Sequence, residues 1–324
     1  MMKSKPVPKS VSPRRNQGIS LIELLISMVI GLVVIGAIFP TYLTSGRGHS
    51  SNAALSQISE DATLALNLIR KQIALAGYSR PFQLNNTGFS RNYNGRGLLG
   101  CDQVNFDNPK AGTIAGLTCN GGTASTDNNA IAIAYEADAD NSLQTAAALP
   151  RDCTGSGIQP TPAVPGGIPA HWVAESRLYI NGTALTCQGN GQASLPVAGV
   201  PLTATPEPLV NNIVSMRIRY GISTTAPTIG MDGTSFDKPT RTPNRFRTAA
   251  QIQAEDPALW RNVKAVRVCI VVRSEEEVLD SPTKYYDCNA IESTETNPAR
   301  LLVTPTDRRM YRAFSTTIAI KNSL

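Results

Sequence analysis

Histidine, the most versatile acid–base side chain, occurs only twice in the 324 residues, as His49 and His171. No HExxH, GxSxG or phosphate-binding glycine loop accompanies them, and no Ser/His/Asp spacing suggests a triad. The expectation is therefore a protein that is not an enzyme, and both histidines read as surface residues. Six cysteines (Cys101, Cys119, Cys153, Cys187, Cys269 and Cys288) contain no CxxC pair and no histidine at ligand spacing, so neither a zinc site nor any other metal or cofactor is expected. Aromatic residues make up only 6% of the chain, whereas glycine (25) and proline (22) are plentiful. That composition favours short strands and many turns over a helical bundle.

Excess charge of one sign is also missing from most of the chain. The net charge of +6 comes largely from Lys3, Lys5, Lys9, Arg14 and Arg15, and the remainder carries 25 basic against 24 acidic residues. A nearly neutral body weighs against a nucleic-acid-binding surface. Two basic-aromatic groups, Arg308, Arg309, Tyr311 and Arg312, and Arg241, Arg245, Phe246 and Arg247, read as solvated strand edges and loops rather than direct DNA contacts. Glu136, Asp138, Asp140 and Asn141 crowd together in EADADNS but lack the glycine of an EF-hand turn, and they read as solvated loop rather than a calcium site.

Twenty-one mostly apolar residues from Ile19 to Phe39 form a run long enough to cross a bilayer as a helix. Basic residues precede it, which predicts a cytoplasmic N-terminus and places the chain beyond Phe39 on the opposite side. An exported body makes disulfides the natural expectation. Pairing in order, 101 with 119, 153 with 187 and 269 with 288, would close short local loops, although six cysteines allow 15 arrangements. Glu23 interrupts the run, and a carboxylate carried to the middle of hydrocarbon costs roughly 2.5–3.5 kcal/mol. Glu23 either snorkels to the interface or meets a cationic partner.

The order of signals separates this segment from other export signals. A secretory signal peptide carries its small-residue cleavage site after the apolar run, whereas Gly18 lies before it. The Arg14 and Arg15 pair is followed by Gln17 and Gly18 rather than by a short apolar region with a cleavage site. Basic leader, Gly18, Ile19, Glu23 and the apolar run together resemble the class III signal of type IV prepilins and pseudopilins. The resemblance implies that a prepilin peptidase cuts between Gly18 and Ile19 and methylates the new amine of Ile19. It also implies that Glu23 meets the N-terminal amine of Ile19 in its own or an adjacent subunit.

Beyond the membrane segment, Pro40 predicts a helix break, and Ser45, Gly46, Arg47 and Gly48 weaken the helix further. Leu55, Ile58, Ala62, Ala65, Leu68, Ile69, Ile73 and Ala76 then recur every three or four residues, which marks one apolar helical face with Gly77 as its C-cap. Residues 79–205 read as a loop-rich variable region with short strands near 130–135 and 177–180. Three alternating runs, 209–222, 260–274 and 308–322, supply an antiparallel sheet with one face for the helix. In the first run Val214, Met216, Ile218 and Tyr220 form the apolar side.

The expected fold class is α+β, a long N-terminal transmembrane and amphipathic helix packed on an antiparallel sheet with an elaborated loop region. Its divisions are a leader at 1–18, the helix at 19–78 with 19–39 in membrane or filament core, the variable region at 79–205 and the sheet at 206–324. LIRKQIALAGY at 68–78, IVSMRIRYGI, VKAVRVCIVVRS and FSTTIAIKN look like the corresponding blocks of PilW-type minor pilins of the type IV pilus. That resemblance implies a subunit of the inner membrane and then of the filament, with other minor pilins, the major pilin, the prepilin peptidase and the inner-membrane assembly platform as partners. It further implies a role in priming pilus assembly near the tip and in twitching motility. A pseudopilin of a type II secretion system, or a tip subunit for DNA uptake or adhesion, are the alternative readings.

Overall fold

The computed structural model describes residues 18, 20–85, 88–103, 106, 114–119, 128–161, 163, 169–191, 205–223, 242–292, 297 and 301–322. The basic leader and Ile19, the glycine-rich 121–127 stretch and Arg241 lie outside the described residues. The fold is α+β: one long helix is followed by strands that pair in antiparallel fashion.

Helix α1 spans Leu21–Leu75. It continues through Pro40, so the break predicted there is corrected. A proline withdraws one amide donor and costs about 3 kcal/mol, but it removes only one bond from a long ladder. The chain divides into two units, residues 1–51 and 52–324.

In the second unit, Ala54, Ile58, Ala62, Ala65, Ile69, Ile73 and Ala76 are buried, at steps of three and four residues. That spacing keeps them on one helical face, and each buried Ile contributes roughly 1.5–3 kcal/mol. The helix ends where Gly77 takes φ +70°, which a side chain would strain. The Gly77 amide donates to the Ala134 carbonyl, and Asn322 Nδ2 donates to the Ala74 carbonyl, so distant chain segments cap the helix.

Strand β1 (Pro81–Asn85) and β2 (Gly88–Arg91) form a hairpin. Five further strands make one sheet in sequence order: β3 (Leu98–Cys101), β4 (Ala130–Ala137), β5 (Trp172–Asn181), β6 (Ala184–Gly189) and β7 (Glu207–Asn211). Residues 79–205 are thus not only surface loops but supply four of these five strands. All eight residues of β4 are buried. With both faces covered, AIAIAYEA lacks the apolar/polar alternation of a half-exposed strand.

A four-stranded sheet follows in the order β13, β10, β8, β9, built from β8 (Ile213–Ile222), β9 (Arg245–Arg247), β10 (Val263–Arg273) and β13 (Tyr311–Ala319). Between β9 and β10 lies helix α2 (Ala249–Glu255), held by a Thr248 and Gln251 capping box. Strands β11 (Tyr285–Tyr286) and β12 (Leu302–Val303) form a short pair flanking helix α3 (Cys288–Glu292). Val266, Val268, Ile270 and Val272 of β10, with Met216, Ile218 and Tyr220 of β8, share one core with the α1 face and with the inner residues of the five-stranded sheet.

The run 209–222 departs from the single alternating strand read from its sequence. Asn212 sits at φ +64° and divides it between two sheets, with β7 before and β8 after. Asparagine tolerates the left-handed region better than most residues. A register shift between Val271 and Val272 then turns Ile213 into the main core, while Val214 packs in the smaller cluster behind the sheet. A bulge reverses alternation, which explains the exchange of the two residues.

The six cysteines pair in chain order. Cys101–Cys119 ties β3 to the segment after a short 3-10 turn (Ile114–Gly116), Cys153–Cys187 ties a loop to β6, and Cys269–Cys288 ties β10 to α3.

Candidate functional site

Among the described residues, the side chains of the N-terminal stretch of α1 are exposed. Leu21–Phe39 has a mean hydropathy of 2.7 and none of it is buried. Leu21 is 79% exposed and Leu32 is 74% exposed. Apolar side chains point outward in every direction, a distribution suited to a solvent of hydrocarbon or to neighbouring helices. Gly31 and Gly36 face open space, where another backbone could approach closely.

Glu23 lies in the first turn, the end of a helix where unpaired amides favour negative charge. Its backbone amide donates to the Ser20 carbonyl, and Ser27 Oγ donates back to the Glu23 carbonyl at 2.7 Å. The carboxylate is exposed. Gly18 is also exposed, and a Cβ there would meet nothing within 4 Å. Ile19, the predicted new N-terminus, is outside the described residues and precedes Glu23 by four positions in the sequence.

The other residues singled out in the sequence have local tasks. His49 is exposed on α1, but His171 is only 8% exposed, which corrects its reading as a surface residue. Its Nδ1 lies 3.0 Å from the Pro169 carbonyl at the entry to β5. Glu136 is buried too, not a loop carboxylate: it accepts from Ser79 Oγ, the Arg80 amide and Asn92 Nδ2. Asp138 and Asp140 both pair with Arg80, at 3.1 and 2.7 Å. The one guanidinium bridges both carboxylates and offsets part of their charge.

Most of the described basic residues of the two basic-aromatic groups are engaged internally. Arg308 pairs with Glu277, Arg309 with Asp307, and both Arg245 and Arg247 with Glu255. Tyr311 donates to Asp307 and stacks on Tyr285, and the Phe246 ring lies under Arg267 at 4.3 Å. Such engagement leaves little free charge to release counterions from a phosphate backbone.

One buried carboxyl was not singled out from sequence. Glu175 of β5 accepts from the Ile114 amide, and burial pushes its pKa up to about 7 against the opposing pull of Arg177 and that amide. Polar residues within a strand normally signal exposure, so WVAESRLYIN gave no cue.

Comparison with known proteins bears on the two ends of the chain. Residues 13–39 match the prokaryotic N-terminal methylation motif, and residues 176–322 match the family described as type IV pilus-assembly protein W. No curated protein matches the chain. A solved type IV-like pilin from Thermus thermophilus aligns over 82% of this chain and 98% of its own, at 10% identity and a TM-score of 0.36. The matched families are structural proteins of the pilus rather than enzymes. The chain thus carries a prepilin methylation segment at its N-terminus and a region similar to the type IV pilus-assembly protein W family at its C-terminus, the two features that support a PilW-type minor pilin.

Proposed function

We propose that this minor pilin is cut between Gly18 and Ile19 by a prepilin peptidase on the cytoplasmic face, is methylated on the Ile19 amine, and helps prime pilus assembly at or near the filament tip. The observation that carries the reading is the unburied apolar stretch Leu21–Phe39 headed by Glu23. Such a segment needs a membrane first and helical neighbours afterwards. Before assembly it anchors the subunit in the inner membrane, with the basic leader in the cytoplasm and the remaining chain in the periplasm.

Cleavage creates the cation that Glu23 lacks. An amine at Ile19, on its own or a neighbouring subunit, attracts the carboxylate strongly in a medium of low dielectric, and each ion offsets part of the other's burial cost. The pair therefore sets the axial register of one subunit against the next. Other minor pilins, the major pilin and the inner-membrane platform are the partners in this step, and twitching motility is the process it serves. Gly31 and Gly36 supply places for neighbouring helices to approach.

N-terminal sequencing of the mature membrane form tests the proposal. The chain should begin at methylated Ile19, and Glu23→Gln should lower its incorporation into filaments without changing its level in the membrane. A mature chain that begins elsewhere, or normal incorporation of Glu23→Gln, would overturn it. Deletion should remove surface pili and twitching; loss of protein secretion with intact pili would instead assign the subunit to a secretion pseudopilus.

A further inference from the structure

Beside the end of α1 in the second unit is a cavity of about 160 Å³ with an unbalanced lining. Arg91 from the end of β2, Arg96 from the turn before β3 and Arg261 from the 3-10 turn Pro257–Asn262 all contribute to it. No carboxylate lines it, and among the described residues none of the three guanidinium groups makes an ion pair. Trp260 also lines the cavity. It is 3% exposed, and its indole N–H has no hydrogen-bond partner. A buried donor left unpaired costs on the order of 1–3 kcal/mol.

Helix capping does not account for the positive charge. The Ile73, Ala74 and Leu75 carbonyls accept from the Ala76 amide, Asn322 Nδ2 and the Tyr78 amide respectively, so the last turn is already supplied with donors. The arginines are instead held close together at a cost: burial, then the charge of Arg261, draws Arg96 below the usual guanidinium pKa. Close chain packing maintains the site. A Cβ at Gly97 would come within 2.4 Å of the Gly77 nitrogen, and one at Gly95 within 2.6 Å of the Tyr93 ring. The Tyr220 ring meets Trp260 edge-on at a centroid distance of 4.8 Å and fixes the indole.

We propose that this cavity receives a carboxylate from another pilus subunit, with Arg91, Arg96 and Arg261 supplying countercharge and Trp260, Val263 and Ile320 an apolar lining. Guanidinium groups pair with carboxylates bidentately and retain their charge when partly buried. The volume suits a carboxylate on a short aliphatic stem, as in an acidic side chain or a terminal residue, and not a nucleobase with its sugar. A single pocket on a nearly neutral body also differs from the basic stripe that nucleic acid requires. The subunit identity of the partner rests on the pilin reading above; the carboxylate chemistry does not.

The full chain in detergent micelles, carrying Trp172→Phe so that Trp260 reports alone, tests the site. N-acetylglutamic acid α-amide presents a side-chain carboxylate, N-acetyl-leucine a terminal one, and N-acetylglutamine amide neither. Saturable fluorescence change with one of the first two and none with the third is expected, and the responding compound identifies the source of the carboxylate. Arg96→Gln with Arg261→Gln should weaken that binding at least tenfold while leaving the melting temperature unchanged or slightly raised. Equal binding of the uncharged control, equal affinity of the double variant, or an equal response to sulfate would overturn the proposal. In cells the double variant should lose co-purification with other pilins while Ile19 processing continues; if it keeps that co-purification, the subunit assignment falls even where carboxylate binding stands. If the mature chain does not begin at Ile19, the pilin reading fails independently of the binding result.

Discussion

Two stretches of one helix, Leu21–Phe39 and the region from Ala54 to Ala76, have the same backbone form and opposite surroundings. In the first, apolar side chains cover the whole circumference and none is buried. In the second, they occupy one face and vanish into the core, while Leu64, on another face, is 51% exposed. Angular distribution rather than helical propensity separates the two. A full apolar circumference asks for a solvent of hydrocarbon or helices, whereas a stripe asks for a sheet.

Aspartate placed in each stretch should break the likeness most sharply. Ile69→Asp buries an unpaired charge in the main core and should cost more than about 4 kcal/mol, seen as loss of the urea unfolding transition and rapid proteolysis of the second unit. Val33→Asp should leave that transition unchanged and instead impair membrane insertion, which carbonate extraction would measure, by roughly 2.5–3.5 kcal/mol. If both variants unfold alike, the division of the helix is wrong.

Covalent ties should show the next largest effect, and only in the second unit. Replacing Cys153 and Cys187 by serine opens a link with a sequence separation of 34, and chain entropy then predicts a loss of about 3–4 kcal/mol. Chemical denaturation under oxidising conditions measures it; the membrane stretch, which has no cysteine, should be indifferent. A smaller effect, on the order of 2 kcal/mol, should come from Glu175. Its carboxyl keeps a proton up to about pH 7 when folded, but in the unfolded chain loses it near pH 4.5. The stabilisation is complete below pH 4.5 and is lost as pH rises through 7. Urea midpoints at pH 5 and pH 8 should therefore converge in Glu175→Gln, which keeps the oxygen that accepts from Ile114; an undiminished difference would remove Glu175 as the cause.

The three C-terminal strands were legible because Met216, Ile218 and Tyr220 alternate with arginines in β8, Ile318 follows polar residues in β13, and Val266, Val268, Ile270 and Val272 recur at every second position of β10 even though that strand is buried on both faces. The five-stranded sheet was much less so. Strand β4 is buried on both faces, and β5 hides Glu175, Ser176 and Arg177 within the fold. Both conceal the period that sequence reading relies on. Asn212 and the bulge opposite Ile213 are equally local in form but depend on which strand lies alongside.

What the sequence by itself determined was the membrane and assembly segment and the apolar face of the following helix, because each is written in consecutive residues that one helix displays regardless of distant contacts. Tertiary structure alone decided the partners of the six cysteines, the division of residues 209–222 between two sheets, and the meeting of Arg91 and Arg96 with Arg261 around Trp260. Those arrangements join residues far apart along the chain, and packing, not local pattern, selects which of them meet.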